Sequence, residues 1–255
     1  MTCDETFDDD LELAHRLALV AGELALDYFR RGVGVTLKAD GSAVSEADVE
    51  IERALRALLT RHRPDDAVLG EELGSSGSSS RRWLIDPIDG TSEFVVGRPE
   101  WGTHIALQQA GDVVLGVITR PVLGCVWWAS RGRGAYRAGT GSQARPVRLQ
   151  VSPATELRGS RVTAWADDRS ATVVSLKENA VWVEPDLGAI LRVAEGELEG
   201  VVDPSGKAWD HAPLVVLVEE AGGRFSDSHG GRRLDRGEGR FTNGHVHSQL
   251  EQVLR

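Results

Sequence analysis

The stretch Trp83-Leu84-Ile85-Asp86-Pro87-Ile88-Asp89-Gly90-Thr91 runs from an apolar strand into an acidic turn. Trp83, Leu84 and Ile85 belong in a core, so Asp86 emerges at its edge. Pro87 fixes a bend, and Asp89 returns a second carboxylate towards the same point. Gly90-Thr91-Ser92 then offers backbone N–H groups that no bulky side chain obstructs, which is what cradling a phosphate requires. Carboxylates beside such a cradle repel both the anion and each other. Divalent cations resolve the conflict, and all-oxygen donors favour Mg2+, Mn2+ or Ca2+ over zinc. The Asp-x-Asp-x-Asp-Gly spacing of an EF-hand loop is absent.

Working outward, three more segments set acids at expected strand ends or helix starts: Glu71-Glu72, Trp209-Asp210 and Ser45-Glu46-Ala47-Asp48. Open α/β architectures gather their ligand sites at such positions. Each segment has a simpler reading on its own. Ser45-x-x-Asp48 fits a capping box, Asp210 fits a helix cap, and Glu71-Glu72 beside serines fits a solvated pair. Two carboxylates also serve glycoside hydrolysis, but that chemistry needs neither the Gly-Thr cradle nor the further acids. No Gly-x-Ser-x-Gly elbow supplies a serine nucleophile. His245-x-His247, lacking a third ligand, reads as a surface feature.

Leu13, Leu17, Val20, Leu24 and Tyr28 form the stripe of an amphipathic first helix, with Asp8, Asp9 and Asp10 at its N-terminus. A second helix is expected from Ser45 to about His62, with Ile51, Leu55 and Leu58 facing in, and a short strand at 67–69. The serine-rich segment 74–80 reads as a mobile surface loop. Strands are expected at 103–108 and 113–119 around Ala110-Gly111-Asp112, and at Val126-Trp127-Trp128, where one ring packs inward and the other stays partly exposed. Helices at 187–198 and 210–221 flank a strand at 200–203, and another strand starts at Arg224. The order predicts an α+β half (8–147) packed against an α/β half (148–255) in one unit.

The chain has 255 residues, 29 basic and 39 acidic, a net charge of −10. That length suits a single large domain or two packed subdomains around a sizeable core. The acidic balance argues against nucleic-acid and anionic-membrane partners, which would be repelled. The longest apolar run, Ala212 to Val218, is too short to span a bilayer. The first ten residues are acidic where a secretory signal is basic and then apolar, and Cys3 and Cys125 form no CxxC pair, so a cytoplasmic location is expected.

Taken together, Lys38-Ala-Asp40-Gly-Ser-Ala-Val44-Ser45-x-x-Asp48, Gly70-Glu71-Glu72, Asp86-Pro-Ile-Asp89-Gly-Thr91-x-x-Phe94 and Trp209-Asp210 resemble, in order and separation, the inositol monophosphatase superfamily. The resemblance covers essentially the whole chain. It implies a layered αβαβα sandwich, usually dimeric, and lithium-sensitive, Mg2+-dependent hydrolysis of a small phosphate monoester with two or three Mg2+ (or Mn2+) per site. By motif, the implied metal ligands are Glu71, Asp86, Asp89, Asp210 and the carbonyl of Ile88, with Asp48 holding a further ion through water. Gly90, Thr91 and Ser92 are the implied phosphate-binding residues, Glu71 and Thr91 the pair that orients the attacking water, and Asp89, Asp203 and Asp210 the acids that meet the substrate.

Within the superfamily, Asp65-Asp66-Ala67-Val68-Leu69-Gly70-Glu71-Glu72, Gly97-Arg98-Pro99-Glu100-Trp101 and Trp127-Trp128-Ala129-Ser130-Arg131-Gly132-Arg133-Gly134 are similar to the histidinol-phosphate phosphatase branch, which implies a role in histidine biosynthesis. Three features depart from that branch. Ser92-Glu93 replaces a Lys followed by Asn or Ser. Asp203, seven residues before Asp210, stands where a Glu commonly meets the substrate, and the stretch 165–181 is abbreviated. A relative acting on an inositol, sugar or nucleoside phosphate is the alternative. A protein that binds metal and phosphate without catalysis is the alternative from another class.

Overall fold

The computed structural model describes residues 3–32, 35–37, 43–141 and 143–255; Lys38 and Asp40 of the expected motif lie outside them. The elements in chain order are α1 (Cys3–Arg31), β1 (Val35–Leu37), β2 (Ala43–Ser45), α2 (Glu46–His62), β3 (Ala67–Gly70), β4 (Gly74–Ser76), β5 (Arg81–Asp89), α3 (Thr91–Val95), β6 (Gly102–Gln109), β7 (Asp112–Arg120), β8 (Cys125–Ser130), β9 (Gly134–Gly139) and β10 (Val147–Arg148). There follow β11 (Arg161–Ala164), α4 (Ala171–Asn179), β12 (Val181–Trp182), α5 (Ala189–Ala194), β13 (Gly200–Asp203), α6 (Ala208–Glu220), β14 (Arg224–Ser226), β15 (Gly239–Thr242) and α7 (His247–Val253).

Two sheets carry the architecture. The first has eight strands in the order β10-β9-β8-β7-β6-β5-β3-β4, and only β3 and β5 run parallel. The second has five, in the order β12-β11-β13-β15-β14. Helices α1 and α2 cover one face of the large sheet, where Leu17, Ile51, Leu55, Trp83, Ile85 and Ile105 form a core. Helices α5 and α6 lie on the opposite face and are covered in turn by the small sheet, burying Leu84, Trp127, Leu191, Leu217, Phe225 and Phe241. Helices α4 and α7 close the far side over Val162, Val173, Val202 and Leu250. This is the expected αβαβα sandwich.

Several expectations need correction. Asp8, Asp9 and Asp10 lie within α1, not at its start, and Asp10 is fully buried between Arg63 (2.7 Å) and Arg81 (2.8 Å). It is a hub joining α1, the end of α2 and β5, not a helix-end charge. On α2 Ile51 and Leu55 are buried as expected, Leu58 packs half-buried against the same core, and Leu59 joins them fully buried. Gly74–Ser76 is an edge strand on β3, and Arg56 holds it through Ser76 Oγ (2.8 Å) and the Gly74 carbonyl. The helix expected over 187–198 shortens to α5. His247 is 1 % exposed, where a surface position was expected, and it is hydrogen-bonded through Nδ1 to Thr242 Oγ1 at 2.9 Å. Burial and then the Arg224 charge push its pKa down to about 4. Only His245 of the pair is exposed. Trp127 is buried and Trp128 half-buried, as expected. Among the described residues, no helix is long and apolar enough to cross a membrane.

The β6–β7 hairpin turns at Ala110 (φ 50°) and Gly111 (φ 92°), so a side chain occupies a left-handed position in a two-residue turn. Because Ala110 is exposed, only its backbone energy is at stake. Ala110→Gly is expected to stabilise the protein by about 0.5–1 kcal/mol. A denaturant midpoint that falls in this variant would contradict the assignment.

Candidate metal and phosphate site

The site begins with an irregularity in β5. Asp86 pairs with His104 and Asp89 with Gly102, so two residues, Pro87 and Ile88, oppose the single Thr103. Residues three apart on a regular strand face opposite sides. One extra residue restores the alternation, and both carboxylates leave the same face. Pro87 is tolerated because a bulge has no ladder bond for its missing N–H, and its carbonyl accepts from Thr103 Oγ1 at 2.8 Å. Asp86 Oδ1 in turn accepts the Ile88 N–H at 3.0 Å.

That face looks towards α6. Glu71, Asp86 and Asp210 each present an oxygen, and the three oxygens lie within 4.8 Å of one another. Asp86 is only 2 % exposed. Burial, joined by the charges of Glu71, Asp89, Asp210 and Asp48, pushes it well above the ordinary carboxylate range. Asp210 is pushed up to about 8 by burial and then Asp89, against the opposing hydrogen bond from the Lys207 N–H. Carboxylates held this close, in a buried setting, suit a multivalent cation that would occupy the space between them. The donor set is all oxygen and fits the expected metal.

The other expected residues surround this group. Asp89 lies outside the 4.8 Å set, with Oδ2 3.4 Å from His104 Nε2. Asp48 is fully buried on α2, with Oδ1 3.3 Å from Thr91 Oγ1. Thr91 Oγ1 is also 3.0 Å from the Ile88 carbonyl, so one hydroxyl joins the acidic turn to α2. Gly90, with φ 80°, precedes the five-residue α3, and the N–H groups of Thr91 and Ser92 at its start have no partner within the helix. Phe94 anchors α3 against Trp101, with ring centroids 4.9 Å apart. Asp210 keeps the capping role too, since its Oδ2 accepts the Lys207 N–H at 2.7 Å. Asp203 stands at the end of β13, just before the loop that leads to α6. Its oxygens are taken by His211 Nε2 (2.8 Å) and by the N–H groups of Ser205 (3.0 Å) and Gly206 (3.1 Å). Burial alone would raise its pKa, but these hydrogen bonds outweigh it and hold the group below the usual carboxylate range.

Three supporting residues were missed in the sequence. Glu52, fully buried, accepts the Glu72 N–H (2.8 Å) and Leu73 N–H (3.3 Å) and is paired with Arg56 (2.7 Å), so it clamps the turn that carries Glu71. It follows Asp48 by four residues, and that helical spacing was the available signal. His104 is buried beside both Asp89 and the backbone of Asp210, whose carbonyl lies 3.1 Å from Nδ1. Burial pushes its pKa below the ordinary histidine value. Nothing in the local pattern marked His104 or His211.

An acid cluster of this kind, beside the N–H groups that open α3, suits a divalent cation and a phosphate ester, and the relatives point the same way. A family model described as the inositol monophosphatase family matches residues 8–254. A histidinol-phosphatase of Mycobacterium tuberculosis is 38 % identical, over 95 % of this chain and 96 % of its own. A Streptomyces griseus protein named glucose-1-phosphate thymidylyltransferase is 45 % identical over 89 % of each chain. Among solved structures, the extragenic suppressor protein suhB of Bartonella henselae superposes with a TM-score of 0.85 at 26 % identity, over 97 % of this chain and 98 % of that one. The chain belongs to the inositol monophosphatase family. It is a phosphoric monoester hydrolase.

The raised carboxylates have a thermodynamic consequence. An acid whose pKa rises on folding binds its proton more tightly in the native state, so metal-free stability falls as pH rises from the unfolded value of about 4 through the folded value, about 8 for Asp210. Excess MgCl2 is expected to abolish that fall, because a cation replaces the protons. Unfolding midpoints measured across this window in EDTA and in MgCl2 test it. A metal-free midpoint that climbs with pH would refute the assignment.

Proposed function

We propose that the protein is a Mg2+-dependent histidinol-phosphate phosphatase, hydrolysing histidinol phosphate to histidinol and phosphate. The observation that carries the reaction class is the convergence of Glu71, Asp86 and Asp210 beside the start of α3. Support for the substrate is the full-length similarity to histidinol-phosphatases at 36–38 % identity. The name of the Streptomyces griseus relative describes nucleotidyl transfer, which does not fit a full-length match to a phosphatase family.

In this reading Glu71, Asp86, Asp89, Asp210 and the Ile88 carbonyl hold the principal cations, and Asp48 holds a further one through water. When bound, such cations neutralise phosphate oxygens and make water more acidic. The chain's residues supply the positioning. The N–H groups of Gly90, Thr91 and Ser92 bind phosphate oxygens without adding charge to a turn already rich in it. When the Thr91 hydroxyl donates to Asp48 Oδ1, its lone pairs are left to accept a hydrogen bond from the attacking water, whose proton can pass through that hydroxyl to the Asp48 carboxylate, and Glu71 helps orient the same water. No side chain needs to become phosphorylated, and in-line attack is set by orientation. We further propose that residues 1–255 act as a single catalytic unit, cytoplasmic and homodimeric.

A second reading, a relative acting on an inositol, sugar or nucleoside phosphate, is favoured by one observation: both oxygens of Asp203 are already engaged within the chain. Comparison of kcat/KM for histidinol phosphate, inositol 1-phosphate and adenosine phosphates decides between them. An advantage for histidinol phosphate above about tenfold, or about 1.4 kcal/mol of transition-state binding, is expected. A smaller ratio overturns the substrate assignment but not the reaction class. Asp89→Asn is expected to lower kcat by at least about a hundredfold with any substrate. Phosphate release that survives this change would refute the metal-site reading.

A further inference from the structure

Asp203 ends β13 and His211 lies in the first turn of α6, so the hydrogen bond between them closes the base of the loop that leads to Asp210. Inside the closed loop, successive amides face two acids. The N–H groups of Ser205 and Gly206 donate to Asp203 Oδ1, and the next amide, Lys207 N–H, donates to Asp210 Oδ2 at 2.7 Å. The amide that orients Asp210 therefore follows directly on the two that Asp203 fixes.

The pair has little freedom to do anything else. His211 is fully buried, its ring 5.3 Å from that of Phe241 and 6.3 Å from that of Phe225. Gly206 leaves no room between the partners, since a Cβ there would sit 2.0 Å from His211 Nε2 and 2.4 Å from Asp203 Oδ2. The Asp203 side chain is 12 % exposed.

We propose that Asp203 and His211 form a positioning pair that fixes the carboxylate of Asp210 for cation binding, and that Asp203 is not a substrate contact. The proposal rests on the reading of Asp210 as a metal ligand. Side-chain length makes the two roles of Asp203 separable. A glutamate would carry the carboxylate one methylene further, past the Ser205 and Gly206 amides and into His211, which damages a brace. The same change lengthens the reach of a substrate contact.

Calorimetric titration of Mn2+ into EDTA-treated full-length protein tests this without turnover. Asp203→Glu and His211→Phe are expected to raise the Mn2+ Kd about tenfold or more, the range for a residue that orients a metal ligand. His211→Gln, whose amide can replace the Nε2–H donor, is expected to recover most of the loss. At saturating metal, the KM of each variant should stay within about twofold of wild type. Wild-type Mn2+ affinity in folded Asp203→Glu, with a lowered KM, would make Asp203 a substrate contact and overturn the proposal. Wild-type affinity in folded His211→Phe would overturn it equally. If Asp203→Glu does not fold, the His211→Phe and His211→Gln pair decides. Wild-type protein that takes up no Mn2+ would instead overturn the underlying metal-site reading.

Discussion

Like charges are gathered in this protein where water cannot screen them. Asp86 is almost completely buried, with Glu71, Asp89, Asp210 and Asp48 all acting to raise its pKa. Such a group opposes folding unless protons or cations compensate it, so the surrounding structure must hold the acids together against their repulsion. The β5 bulge forces two of them onto one face, and α6 delivers a third from the far side. Each is attached to an element whose own stability comes from the apolar cores.

The restraint reaches one layer further out. Glu52 grips the turn behind Glu71, Thr91 joins the Ile88 carbonyl to Asp48, His104 lies against both Asp89 and the Asp210 backbone, and Asp203 and His211 close the loop before Asp210. These contacts explain polar residues in positions where burial alone would favour leucine or valine. Each costs desolvation, and each is offset by hydrogen bonds to groups that would otherwise lie buried without partners.

Much of this is legible in the amino-acid sequence. The run Asp86-Pro-Ile-Asp89-Gly announces a kink that returns two acids to one side, and the structure shows the bulge that does so. Helix α2 was legible because its apolar residues recur at helical spacing and Pro64 lies beyond its end. What escaped depended on contacts made across the chain. Asp10 reads as a helix-end charge until Arg63 and Arg81 arrive from distant segments. His247 looks like half of an exposed His-x-His pair, although α7 turns it into the core. The pairing of Asp203 with His211 had no local signal, because the two become neighbours only when the loop folds back. The serine-rich segment lacks any apolar pattern, so the strand at 74–76 depends on backbone pairing to β3 and on Arg56.

Helix α6 has eight consecutive buried residues, His211 to Val218, and no face left for solvent. A helix apolar on all sides gains its stability only from partners on both flanks. Neither sheet alone shelters it, because the large sheet covers one flank and the small sheet the other. Its contacts link distant parts of the chain, the kind of pairing that slows folding. Because Asp210 is mounted on its first turn, the geometry of the acid cluster depends on that packing. The three acids that converge therefore come together where the large sheet, α6 and the small sheet are packed against one another.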